Sequence, residues 1–475
     1  MTEAVEYDVV VLGGGPAGEN VADRTRAAGL STALVESELV GGECSYWACV
    51  PSKALLRPVL ARADARRVPG LAGAVEGPLD TAAVLAHRDY WTGNWKDEGQ
   101  IDWLDSIGAH VYRGHGRLYG VRKVAVTSPE GEHHVLSARH AVVVATGTRA
   151  VIPDVPGMAA AGAWTSREAT SAQAAPGRLL IVGGSVVAAE MATAWQGLGS
   201  QVTVLVRGSG LLPRMEPFAG ELVAEALREA GAVVRTGVAV EAVVRDGSTG
   251  PVSVVLEGGE IIEGDELLVA TGRAPRTEDI GLETVGLSGG KWIGVDDSCR
   301  VPGHDWLYAV GDVNHRALLT HQGKYQARIA GAAIAARAAG GAPDTGPWGA
   351  HAATADTRAV PQVVFTDPEA AAVGLSLAEA EGAGLRVRAV DYDLSKVSGA
   401  GLYADGYRGR ARMVVDLDRE IVLGATFVGP GAAELLHTAT VAVAGEVPIE
   451  RLWHAVPAFP TISEIWLRLL EAYRG

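Results

Sequence analysis

Two strand–glycine–helix units restrict this chain to very few folds. The first, "YDVVVLGGGPAGEN", starts at residue 7; the second, "RLLIVGGSVVAAEM", starts at residue 178. Each opens on a continuous apolar run, the pattern of a strand covered on both faces in a parallel sheet rather than the alternation of a half-exposed one. Each then reaches a glycine cluster and passes into a helical pattern, "AGENVADRTRAAG" and "VVAAEMATAWQGLG". The runs "STALVE", "HAVVVATG", "QVTVLVR", "ELLVATGR" and "WLYAVGD" repeat the theme. This βαβ rhythm predicts an open α/β sheet twice over.

After about residue 350 the texture changes. "VPQVVFTDPEAAAVG", "ARMVVDLDREIVLGATFVG" and "AAELLHTATVAVAG" predict antiparallel strands with helices, preceded by an Ala, Gly and Pro-rich linker. The expected architecture is α/β, with two Rossmann-like dinucleotide-binding domains and a C-terminal α+β domain. The expected boundaries are 1–150 and 279–350 for the first domain, 151–278 for the second and 351–475 for the third. With 475 residues and 48% hydrophobic content, the chain can fill that many cores. A net charge of −15 argues against a nucleic-acid partner. No apolar run approaches the ~20 residues of a membrane span. The opening "MTEAVEYDVVVLGGG" lacks the basic region and apolar core of a signal peptide, and three cysteines make no disulfide scaffold. A cytoplasmic location is expected.

Gly13, Gly15 and Gly18 have the G-x-G-x-x-G spacing between a strand and a helix. The first turns the chain, the second lets backbone approach a pyrophosphate, and the third lets helix pack on strand. Glu36 ends the next strand, where an acidic residue binds ribose hydroxyls. In the second unit Gly183, Ser185 and Ala188 form a degraded fingerprint whose small residues still permit close approach. Val206 stands where an NAD-binding unit carries its acid, with Arg207 next and Arg214 shortly after. Arginines there suit a ribose 2′-phosphate, so NADPH is expected over NADH.

Cys44 and Cys49 lie in "GGECSYWACVPSK". They could be a redox pair, a metal site or two inert thiols; no further Cys or His lies near enough in sequence to favour metal, and no metal site is expected. A regular helix would hold residues five apart at about 8.6 Å between Cα atoms, beyond the roughly 7 Å reach of a disulfide. A bond between them requires a distorted first turn, which Gly41 and Gly42 permit. A helix N-terminus and Lys53 would lower the thiol pKa. Tyr46 and Trp47 between the cysteines either fill a core or flatten the substrate face. Cys299 reads as an unpaired structural residue.

Taken together, the first fingerprint, "GGECSYWACVPSK", "VVVATG", the second fingerprint with Glu190, "LLVATGR", "LYAVGD", "FTDPEAAAVG" and "PTISE" resemble the flavoprotein disulfide reductases over essentially the whole chain. The resemblance implies FAD on the first fingerprint, with Gly147, Gly311 and Asp312 among its contacts, and a pyridine nucleotide on the second, with Gly272. It pairs Lys53 with Glu190 beside the flavin. It makes Cys49 the thiol against the flavin and Cys44 the interchange thiol, the two forming a redox-active disulfide. It implies a homodimer through the C-terminal domain, each site being completed by the partner's C-terminal segment.

One departure stands out. The family's disulfide-reducing members carry His-Pro-Thr and a glutamate near the C-terminus, the histidine acting as proton carrier. Here the segment is "VPAFPTISEIW": Phe459 replaces the histidine, while Glu464 remains. A phenyl ring moves no protons, which removes help typically worth about 10²–10⁴-fold. His454, six residues before Pro460, is the candidate substitute; His437 reads as structural, and the resemblance puts the region of His321 near the flavin. The reading is an NADPH-dependent FAD oxidoreductase, an atypical disulfide reductase with an unidentified acceptor. The alternatives are an NADPH dehydrogenase serving quinones, metal ions or dyes, and a non-catalytic redox sensor.

Overall fold

The computed structural model describes residues 4–475, which divide into two compact units. The first comprises the chain up to Val50 with Asp89–Ala150 and Arg273–Thr357; the second comprises Pro51–Arg88, Val151–Gly272 and Arg358–Gly475.

The first unit is built on the sheet that its glycine fingerprint predicts. Val5–Leu12 pairs in parallel with Thr32–Glu36 on one side and His133–Val144 on the other; His110–Arg113 and Leu307–Ala309 extend it in parallel. Val9, Val10 and Val11 are fully buried, as a strand covered on both faces must be. The long His133–Val144 strand also starts an antiparallel meander through Lys123–Thr127 to His115–Leu118. That half was not among the apolar runs because "KVAVT" alternates buried and exposed residues.

Helix α1 (Pro16–Ala27) begins with proline, whose missing N–H costs nothing in a first turn. Two helical segments follow the second strand: the short α2 (Gly42–Tyr46), then the longer α3 (Cys49–Arg66), which leads into the second unit. Helix α4 (Thr320–Ala338) lies against α1. Only glycine fits at their contact: a Cβ on Gly331 would come 2.7 Å from Arg24 Cβ. Buried Gln326 on α4 donates to Asp356 at 2.9 Å and accepts from the Gly311 amide at 2.7 Å, fixing the turn that carries Asp312.

The second unit holds a parallel sheet of Val233–Thr236, Gln201–Val206, Arg178–Val182 and Glu266–Val269, in that order. An antiparallel three-stranded sheet spans 240–264. A five-stranded antiparallel sheet forms the C-terminal part, ordered Pro361–Val364, Glu369–Gly374, Ile421–Gly429, Arg410–Asp416, Val387–Asp393. The parallel sheet and the five-stranded sheet share one core: Met191 and Trp195 of the helix Val186–Gly197 belong to one apolar cluster with Val364, Ala370 and Val428. Glu216, 3% exposed, receives Arg412 at 2.7 Å and the Leu377 amide at 2.8 Å. Residues 51–88 group here because Leu55, Leu56, Val59, Val84 and Leu85 enter the same cluster. Residues 273–275 group with the first unit instead, pairing antiparallel with Thr148–Ala150.

Trp195 is the largest fully buried side chain. Trp195→Ala is expected to cost about 3–5 kcal/mol, seen as a lower denaturant midpoint by circular dichroism; an unchanged midpoint would contradict the packing described.

Candidate active site

The first fingerprint is set by contacts that leave no room for side chains. Gly13 has φ +105°, and a Cβ there would lie 2.4 Å from the Ala145 carbonyl oxygen. A Cβ on Gly18 would lie 1.9 Å from the Gly13 carbonyl oxygen, so helix and strand meet backbone to backbone. Gly15 differs: nothing lies within 4 Å of its Cβ position. The open side of Gly15, at the N-terminus of α1, is a place where a phosphate can approach amide N–H groups. Glu36 ends its strand beside this turn and accepts from the Gly14 amide at 2.7 Å and the Glu38 amide at 2.7 Å. Gly147 (φ +68°) is likewise open, and Gly311 has φ +75°. Asp312 accepts from the Thr148 hydroxyl at 2.8 Å; burial pushes its carboxyl up, with Thr148 and Arg273 opposing. Open glycines, a helix N-terminus and an acid at the second strand fit a dinucleotide.

The cysteines follow directly. Gly42 begins α2 so close to the fingerprint that a Cβ would sit 2.9 Å from Gly15 Cα, and the Gly41 amide donates to the Gly14 carbonyl at 2.8 Å. The helix then breaks at Trp47 (φ −134°, ψ 6°) before resuming at Cys49. This interruption is the distortion that a five-residue spacing requires. Both cysteines are free thiols, half-buried and hydrogen-bonded to each other. Cys49 Sγ lies 3.3 Å from the hydroxyl of Thr320, in the first turn of α4. The Cys44 thiol is pushed well above its ordinary range, first by the Cys49 hydrogen bond and then by burial, with Thr320 and Lys324 opposing. Tyr46 is 3% exposed and donates to the Val40 carbonyl at 3.0 Å, so it fills the core; half-buried Trp47 packs edge-on against it. Cys299 is buried and unpaired by disulfide.

In the second unit, Lys53 Nζ meets Glu190 Oε2 at 2.7 Å, and Glu190 Oε1 accepts from the Phe365 amide at 3.1 Å. Lys53 also lies 4.9 Å from the Phe365 ring centroid. Gly183 has φ +129°, with a Cβ position 2.3 Å from the Ala270 carbonyl oxygen. Ser185 caps the helix Val186–Gly197, its hydroxyl accepting from the Ala188 amide at 3.4 Å, and Ala188 is fully buried. Gly272 has φ +146° with open space beside it. Arg207 and Arg214 are both exposed beyond the strand end at Val206. Phe459 is 75% exposed, whereas Glu464 is buried and accepts from the Gly399 amide at 3.3 Å. His454, His437 and His321 are all exposed.

Several neighbours escape sequence reasoning. Glu43, next to Cys44, receives Arg276 at 3.2 Å, with Arg273 at 3.6 Å, and Arg273 Nε donates to the Thr148 hydroxyl at 2.5 Å. Arg273 follows the glycine of "LLVATGR" and was in sight of that motif; Thr320 and Phe365 had no local signal. Replacing Cys49 by alanine removes both the hydrogen bond and the charge that raise Cys44. Alkylation of Cys44 in the reduced protein at about pH 8 should then become severalfold faster, followed by peptide mass analysis; a slower or equal rate would refute the coupling.

Comparison with known proteins places the chain in a family. Residues 7–339 match the pyridine nucleotide-disulphide oxidoreductase family and residues 360–469 match its dimerisation domain. A mercuric reductase of Staphylococcus aureus is 30% identical over 97% of this chain and 81% of its own. A dihydrolipoyl dehydrogenase of Haloarcula marismortui is 31% identical over 98% and 97%. Among solved structures, the HOCl-induced flavoprotein disulfide reductase RclA of Escherichia coli, in its Cu(II) complex, superposes with TM-score 0.83 at 23% identity, over 98% of this chain and 99% of that one, a likeness of fold. LpdA of Mycobacterium tuberculosis superposes with TM-score 0.81 at 26% identity, over 99% of each chain. The chain therefore belongs to the class I flavoprotein disulfide reductases, oxidoreductases that use FAD and a pyridine nucleotide.

Proposed function

We propose that this enzyme carries two electrons from NADPH to a Cys44–Cys49 disulfide and on to an acceptor other than the large thiol disulfides of its relatives. The observation that carries the reading is the neighbouring pair itself, two half-buried sulfurs hydrogen-bonded across a broken helix. FAD, on Gly13, Gly15, Gly18, Glu36, Gly147, Gly311 and Asp312, supplies two-electron transfer between nicotinamide and sulfur. Reduction of the disulfide breaks its S–S bond; both electrons stay on sulfur, Cys44 takes up one proton and Cys49 remains a thiolate. The Lys53–Glu190 pair, tied to the Phe365 amide, holds a fixed cation, the role the family gives it beside the flavin. Gly183, Ser185, Ala188 and Gly272 supply the pyridine-nucleotide turn, and exposed Arg207 and Arg214 favour a 2′-phosphate by charge.

The matched dimerisation domain supports a homodimer. In that arrangement the C-terminal segment of the partner subunit brings Phe459 and Glu464 to Cys44. Phenylalanine offers no proton to the interchange thiol, so oxidation of the dithiol by glutathione disulfide or lipoamide is slow. A quinone or dye takes electrons without that proton relay. A cytoplasmic location belongs to the same reading, because the reductant is NADPH.

The following measurements check it. Purified protein should run as a dimer by light scattering, oxidise NADPH in preference to NADH, and develop long-wavelength absorbance on two-electron reduction that Cys49→Ser abolishes. Arg207→Glu should raise KM for NADPH far more than for NADH. Phe459→His should raise glutathione-disulfide or lipoamide turnover, by up to about 10²–10⁴-fold, while quinone reduction survives Cys44→Ser. A preference for NADH overturns the cofactor assignment, and fast disulfide turnover by the unaltered protein overturns the acceptor assignment.

A further inference from the structure

Helix α3 carries two arginines four residues apart, Arg62 and Arg66, and both line one cavity of about 400 Å³ in the second unit. Side chains four apart share a helix face, where like charges repel. The cavity's other two arginines are answered by acids. Arg67 meets Asp367 at 2.5 Å and Asp64 at 3.5 Å; Arg408 meets Glu229 at 2.8 Å and Glu225 at 3.6 Å. Arg62 is held differently. Its guanidinium donates to two backbone carbonyls, those of Gly77 and Gly197, each at 3.0 Å. Three of its five N–H donors are left over. Among the described residues neither Arg62 nor Arg66 forms an ion pair. Burial and the charge of Arg66 both push Arg62 down. In a chain with a net charge of −15, two neighbouring arginines without an acid are a local exception.

The rest of the lining supplies apolar surface, from Val59 of α3 and from Leu222 and Ala226 of the helix Pro217–Glu229. One side is rigid. A Cβ on Gly197 would come 2.3 Å from Val59 Cγ1, so α3 packs directly on the helix Val186–Gly197, and the Arg62 bond to the Gly197 carbonyl ties the same two helices. No lining residue belongs to either glycine fingerprint or to the cysteine segment. The size falls within the range of small-molecule sites, and apolar walls with a few placed charges are their usual make-up.

We propose that this cavity binds a phosphate monoester with an apolar body, its phosphate on Arg62 and Arg66 and its body against Val59, Leu222 and Ala226. Two guanidinium charges without acids match the nearly two negative charges of a phosphate monoester at neutral pH, and the planar fork of arginine suits its oxygens. A carboxylate would answer only one of the two charges. A bound ligand would join α3 to the helix Pro217–Glu229 and so stabilise the second unit.

The test titrates FAD-loaded protein with phenyl phosphate by isothermal calorimetry, in saturating NADP+ and separately in saturating NAD+. One equivalent per chain should bind, and neither nucleotide should compete. Arg66→Gln removes one charge and no hydrogen bond of the fold. It should weaken phenyl phosphate about tenfold or more and leave Tm without probe unchanged or slightly higher, since a like-charge neighbour is gone. The probe should raise the Tm of the unaltered protein and not that of Arg66→Gln. Ala226→Phe fills the apolar side, keeps both arginines and should also weaken binding. Benzoate and inorganic phosphate, each with half of the probe's chemistry, should bind about tenfold more weakly or worse. Absence of phenyl phosphate binding, its loss when either nucleotide is present, or equal binding by Arg66→Gln overturns the site. Equal binding of benzoate overturns the phosphate assignment, and equal binding of inorganic phosphate, or of phenyl phosphate by Ala226→Phe, overturns the apolar half.

Discussion

The first unit's site depends on backbone touching backbone. The Gly18 helix turn rests on the Gly13 carbonyl, Gly42 rests on Gly15, and the Gly41 amide donates to Gly14 at 2.8 Å. One set of missing side chains therefore does two jobs. It opens the helix N-terminus to a phosphate, and it locks the cysteine segment to the same turn. A single methyl group at Gly18 would meet an oxygen at 1.9 Å, closer than any real contact, so helix, strand or loop would have to move. Such close approach costs conformational entropy in the unfolded chain, and the rigidity it gives holds the cysteines against α4.

Charge is organised around the dithiol by neighbours of opposite effect. Cys49 and burial raise Cys44; Thr320 and Lys324 oppose them. Lys324 is drawn also to Glu19, and Glu43 beside Cys44 is held by Arg276 and Arg273. In the second unit the Lys53–Glu190 pair is satisfied on both carboxylate oxygens, by Nζ and by the Phe365 amide. That is the condition under which a buried acid is tolerated.

Glu464 shows why a residue can outlast its usual partner. With phenylalanine in the histidine's place, there is no imidazole for it to orient, yet it is 6% exposed and accepts from the Gly399 amide. Gly399 itself packs so tightly on Thr461 that a Cβ would lie 2.1 Å from the Thr461 carbonyl carbon. The glutamate thus closes the C-terminal turn. Phe459, by contrast, projects into solvent in the single chain, 75% exposed.

The sequence by itself determined the two parallel sheets, the antiparallel C-terminal sheet, the fingerprint turns and the family. Continuous apolar runs, glycine spacing and short motifs are local signals, and the contacts they encode are between neighbours along the chain or along a strand. A Cys44–Cys49 disulfide, which the resemblance implies, would require a break between them, since its reach is shorter than five residues of regular helix. Only the tertiary structure decided what surrounds that break. Thr320 comes from about 270 residues away, and Arg276 finds Glu43 across more than two hundred residues. The antiparallel meander of 115–144 was hidden because its alternation is that of a half-exposed sheet. Burial and long-range charge depend on which segments fold back on one another, and no window of sequence contains that information.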